Sequence, residues 1–85
     1  MTDAEKWAAY DIAKNRLSIL VGHYSELVFK EQQKAAPDLA QIEQWENEQD
    51  AIIDQEASLS VEDQATIEKI NSTYGPAVQA IMQKG

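Results

Sequence analysis

From Thr2 to Ala36 this chain contains no proline and a single glycine, Gly22. That uninterrupted stretch constrains the fold more than any other feature, because nothing in it forces the backbone out of a helix. Its start is marked by Thr2-Asp3-Ala4-Glu5, a capping box. The Thr2 hydroxyl can accept from the Glu5 amide while the Glu5 carboxylate reaches back to the Thr2 amide. The first stop signal is Ala35-Ala36-Pro37. A helix over residues 3–34 is predicted, roughly 50 Å long at 1.5 Å per residue. That is longer than a compact domain of 85 residues needs.

The apolar pattern of this helix is wide. Tyr10, Ala13, Leu17, Leu20, Tyr24 and Leu27 alternate spacings of three and four, as heptad a and d positions do. Trp7, Val21 and Val28 broaden the stripe on one side, and Ala8, Ile12 and Ile19 form a further arc. One neighbour covers only a narrow face. The first helix is therefore expected to pack against two things, one of them a second copy of the chain. Tyr10, Leu17, Leu20, Tyr24 and Leu27 are the candidate self-association seam, and aromatic residues are enriched at such interfaces. Ser18, Gly22 and Ser25 share a small-residue face that would admit a close backbone.

Glycine and proline punctuate the rest sparingly. Pro37 suits the first turn of a second helix, where a missing N–H costs nothing. Leu39, Ile42, Trp45, Gln49, Ile52 and Ile53 follow helical spacing to about Ala57. Ser58-Leu59-Ser60 breaks the pattern, and Ser60 can cap a third helix with Glu62 and Asp63 at its positive end. Ile67, Ile70 and Tyr74 form its inward face. Gly75-Pro76 is a stop signal, and Val78, Ile81 and Met82 would line a short fourth helix. The expected architecture is all-α: a bundle of three to four helices, about 3–34, 37–57, 61–74 and 77–84, in one domain spanning 1–85. The long first helix is its spine, and a homodimer is its expected state.

Charge is distributed very unevenly. Between Lys34 and Lys69 there is no Lys, Arg or His, yet there are ten carboxylates. Residues 1–34 balance five bases against five acids, so the net charge of −8 arises in the middle of the chain. Glu43, Glu46, Asp50 and Asp54 step by three, four and four residues and line one stripe of the second helix. Like charges four residues apart destabilise a helix by about 0.2–0.5 kcal/mol per pair. No base in the segment offsets them. Folding does not require such a stripe, so these residues, with Glu48, are the candidate partner-binding set for a basic protein. A solvated face that keeps a small protein soluble is the plainer reading.

The same acidity argues against direct nucleic-acid binding, which depends on cations. DNA mimicry is limited by geometry: a four-residue helical step rises about 6 Å, whereas one DNA strand places a charge every ~3.4 Å. Adding Glu48, Glu56, Glu62 and Asp63, or doubling the surface in a dimer, brings the density closer.

Other chemistries find little footing. There is no Cys and one His, which removes disulfides and thiolate sites and leaves few nucleophilic triads. His23 and Glu26 are three apart, but helical di-metal sites need Glu-x-x-His on two helices with further inward carboxylates. No cofactor, no metal and no catalysis are expected. No apolar run approaches a membrane span, and Met1-Thr2-Asp3-Ala4-Glu5 lacks the features of a signal peptide, so a cytoplasmic location is the default expectation. In size, charge and helicity the chain is similar to small acidic helical proteins carried by phages and plasmids. That resemblance implies a role in binding and blocking another protein. The leading expectation is a non-catalytic acidic module that inhibits or regulates a basic, nucleic-acid-handling protein, with partial DNA-mimic character. The alternative is a structural or assembly subunit acting through the seam of the first helix.

Overall fold

The computed structural model describes residues 2–84, with side chains through residue 83. Three helices account for nearly all of them: α1 (Asp3–Gln32), α2 (Leu39–Ser58) and α3 (Gln64–Lys84). No strand occurs among the described residues, and the packing is that of a small helical bundle.

Both bonds of the capping box form. Thr2 Oγ1 accepts from the Glu5 amide at 3.2 Å, and Glu5 Oε1 accepts from the Thr2 amide at 3.1 Å. The Thr2 amide first, and then the Thr2 hydroxyl, hold the Glu5 carboxyl below its ordinary pKa. α1 ends at Gln32, two residues short of the predicted boundary, where the Gln33 and Lys34 amides donate three residues back to the Lys30 and Glu31 carbonyls, and Glu31 fastens the turn. Its carboxylate takes the Lys34 ammonium at 2.9 Å and the Asp38 amide at 3.1 Å. Asp38 then accepts from the Gln41 amide at 3.1 Å as the N-cap of α2. Pro37 consequently lies outside the helix that it was expected to open. A side-chain cap supplied by Asp38 wins over a proline in the first turn, since Asp satisfies an otherwise orphaned N–H.

Glu31 is the one charged residue among the buried set, at 8% exposure. The Lys34 hydrogen bond, and after it the Asp38 amide, hold its carboxyl below the usual range. A depressed folded-state pKa contributes stability that is present above the unfolded value and is lost as pH falls through the folded one. The wild type should therefore lose stability to urea on acidification from neutral pH to about pH 3, and Glu31→Gln should lose less over that interval. Glu31→Gln should also start less stable at neutral pH. Equal pH dependence in the two proteins would show that the clasp contributes nothing.

The link from α2 to α3 uses Asp63, not Ser60, as the cap. Asp63 Oδ1 accepts from the Thr66 amide at 3.2 Å, and its Oδ2 accepts from the Thr66 hydroxyl at 2.7 Å. Ser60 instead accepts from the Glu62 amide at 3.2 Å, shaping the turn.

The expected break at Gly75-Pro76 does not occur. α3 runs through it, and the separate helix over 77–84 is the last part of α3. Proline removes the bond that residue 76 would donate to the Ser72 carbonyl. Tertiary contacts outweigh that loss. Val78 is buried in the same core as Ile67 and Ile70, and Ile81 packs against it. Arg16 of α1 adds a bond of 2.9 Å to the Asn71 carbonyl, one residue before Ser72. Its guanidinium carbon lies 3.4 Å from where a Cβ on Gly75 would stand, so the arginine lies flat against α3 at this point.

α2 runs antiparallel to α1. Near one end Glu31 meets Asp38, in the middle Gln49 donates to the Val21 carbonyl and the Ser25 hydroxyl at 2.9 and 2.7 Å, and Ser18 reaches Glu56 at 3.4 Å. α3 lies on the other flank of α1, running in the same direction. No Cα of α2 comes within 8 Å of one in α3, while both helices approach α1 that closely. The Cα envelope is correspondingly flat, 53 × 26 × 14 Å.

Side chains close the angle between the outer helices. Ala13, Leu17 and Leu20 of α1 meet Ile52 of α2, Leu59 of the link, and Ile67, Ile70 and Val78 of α3. Leu17 and Ile67 are the largest fully buried side chains, each worth about 1.5–3 kcal/mol of transfer free energy. The wide apolar arc of α1 thus has two partners within one chain.

Candidate functional site

α2 turns a sharply two-sided surface to its surroundings. Ile42 and Ile52 are buried and Trp45 and Gln49 half-buried toward α1. Glu43, Glu46, Asp50 and Asp54 are all exposed on the flank away from that contact. The ion pairs among the described residues are Lys30–Glu26 and Lys34–Glu31, at 2.8 and 2.9 Å. Neither involves the stripe. Leu39 and Ile53, expected to face inward, remain 74% and 43% exposed and lie beside these acids. The stripe is therefore acidic with apolar residues set into it.

Glu48 does not belong to it. Two residues correspond to about 200° of helix rotation, which carries Glu48 from the side of Glu46 to the opposite flank of α2. There it faces Tyr24, whose phenol is pushed above its ordinary pKa by burial first and then by the nearby Glu48 carboxylate. Glu48 also accepts from the Gln44 side-chain amide at 3.5 Å. Of the five acids proposed from sequence, four share one face and the fifth lies on the Tyr24 side of α2.

The seam residues sit differently from a free surface. Leu17 and Leu20 are 0% and 5% exposed within the single chain. Tyr10 and Tyr24 are half-buried against the same core, and Leu27 is half-buried further along α1. Tyr10 stacks edge-on with Trp7 at 5.5 Å, and Lys14 lies 5.5 Å from its ring. A second copy could reach Leu17 only by displacing α2 or α3. At Gly22 a Cβ would meet nothing within 4 Å, while Ser18 and Ser25 on the same face reach Glu56 and Gln49 of α2.

His23 is half-buried and its ring centroid lies 6.1 Å from that of Tyr24. Glu26 is taken by Lys30, which lowers its pKa through a hydrogen bond and then through charge. Among the described residues no group of three or more His, Asp or Glu side chains is arranged to hold a metal ion. No described helix is long and apolar enough to cross a membrane.

No family model, curated protein or solved structure matches this chain.

Sequence reasoning missed Glu31, Arg16 and Gln49 as the polar links that fix the helices on α1. A charged or amide side chain at an otherwise apolar helical position was the available signal, and Gln49 stood in the α2 series by its spacing alone.

Proposed function

We propose that this protein is a non-catalytic binding module that docks a basic protein surface against the acidic face of α2, working as a homodimer. Inhibition or regulation of a nucleic-acid-handling protein is the form that this takes, because such proteins carry the cationic grooves that an acidic stripe complements. One observation carries the reading. Glu43, Glu46, Asp50 and Asp54 are exposed on a single flank with no cation of their own chain among the described ion pairs. Leu39 and Ile53, exposed beside them, would supply the apolar contact that a purely electrostatic encounter lacks.

Glu43→Gln/Glu46→Gln/Asp50→Asn/Asp54→Asn should keep the helical fold and lose the partner. The check is a pull-down with tagged protein, washed in parallel at about 0.15 M and about 0.5 M salt, where screening shortens the reach of exposed charges. A basic protein captured by the wild type at low salt should be lost at high salt and absent with the variant. Capture of the same protein by the quadruple variant would leave the stripe as a solvated face. It would favour the alternative role, a structural or assembly subunit acting through helix–helix association.

A further inference from the structure

We propose that the two copies of the homodimer meet through the cleft between α1 and α3, and not through the heptad seam of α1. The cleft has a volume of about 620 Å³. Its apolar lining comes from Ile12 and Ile19 on α1 and from Val78 and Met82 on α3. Ile12 is 48% and Met82 65% exposed, so its rim is apolar surface that this chain leaves uncovered.

Charge selects the occupant. Fifteen of the 85 residues are acidic, yet none of the described residues lining the cleft is, and Arg16 is the one charged group among them. That cation is turned inward onto the Asn71 carbonyl at 2.9 Å. The acids of α2 lie across α1 on the opposite flank. Two copies of a chain carrying −8 repel one another over most of their surface. Apposed through this cleft they bring apolar and neutral groups together and keep both acidic stripes outermost. A two-fold interface uses the same patch on both subunits, and a patch lined by no described carboxylate, with the Arg16 cation turned onto its own chain, keeps acid–acid repulsion out of the contact.

Apposition covers the exposed Ile12 and Met82 of both copies. An 85-residue chain gains stability from such burial, because small single cores are marginal.

This proposal rests on the homodimer reading, and the test separates the two. Mass in solution is measured by light scattering across protein concentration for the wild type, Ile12→Glu, Met82→Glu, the milder Met82→Ala, and Ile53→Glu on α2 as a charge-matched control. The wild type and Ile53→Glu should reach twice the monomer mass of 9.5 kDa. The two cleft glutamates should raise the dimer dissociation constant by at least about tenfold, and Met82→Ala by less, with helicity by circular dichroism unchanged. A dimer that survives all three cleft variants would overturn the placement and leave the homodimer standing. A wild type that stays at 9.5 kDa throughout would overturn both.

Discussion

Leu17→Ala is expected to lower the stability of this protein by about 2–5 kcal/mol, the range for deleting a buried leucine side chain into a core that relaxes only in part. Leu17 has no exposed surface and lies where α1 meets both other helices, so neither neighbour can close the gap without leaving its remaining contacts. A domain of this size has roughly 4–13 kcal/mol in total, so the variant gives up a large share of its stability. Urea denaturation followed by circular dichroism measures the loss directly. A loss under about 1 kcal/mol would show that the three helices do not share one core at this position. The same substitution at the exposed Ile12 should cost far less, which separates the effect of burial from that of helix propensity.

Pro76→Ala is expected to act in the opposite direction. Proline inside a helix costs about 3 kcal/mol relative to alanine, through the lost hydrogen bond and the clash of its ring with the preceding turn. Pro76 is exposed and lies within α3, so alanine restores a donor to the Ser72 carbonyl without removing buried surface. The gain should be about 1–3 kcal/mol, the lower figure applying if α3 is already bent to relieve the ring. Denaturant midpoints at one fixed protein concentration give the answer. A destabilised Pro76→Ala would mean that the local bend places Val78 and Ile81 correctly in the core, and that a straight helix cannot do so.

These two residues mark where sequence reading succeeds and where it stops. Leu17 could be placed in an apolar face from spacing alone, because helical periodicity reports burial whatever the partner is. Thr2 and Glu5 fixed the start of α1 through an interaction that is complete within four residues. Pro76 was misread, because its local preference for ending a helix is opposed by contacts to Arg16 and to the α1 core that arise only on folding. Pro37 was misread for a related reason: Asp38 caps α2 and its amide is held by Glu31, seven residues earlier. The acidic stripe was legible as a stripe, since Glu43, Glu46, Asp50 and Asp54 share one flank whatever α2 packs against. Glu48 was not separable from them until Tyr24 was seen beside it. Nor could spacing tell which flank of the wide α1 arc would be covered by its own chain and which would be left open at Ile12.

The separation of α2 from α3 has a consequence for how the molecule opens. Each outer helix packs its backbone against α1 alone, so either one can detach while the other stays docked. Local opening of this kind grades protection across a fold. Amide hydrogens in the middle of α1, around Leu17 and Leu20, lie under both flanks and exchange only when the whole structure opens. Those of α2 and α3 exchange through two smaller and distinct openings. Slow exchange should therefore concentrate in the sequence segment that begins the chain, and the two segments that follow should report on their own release independently.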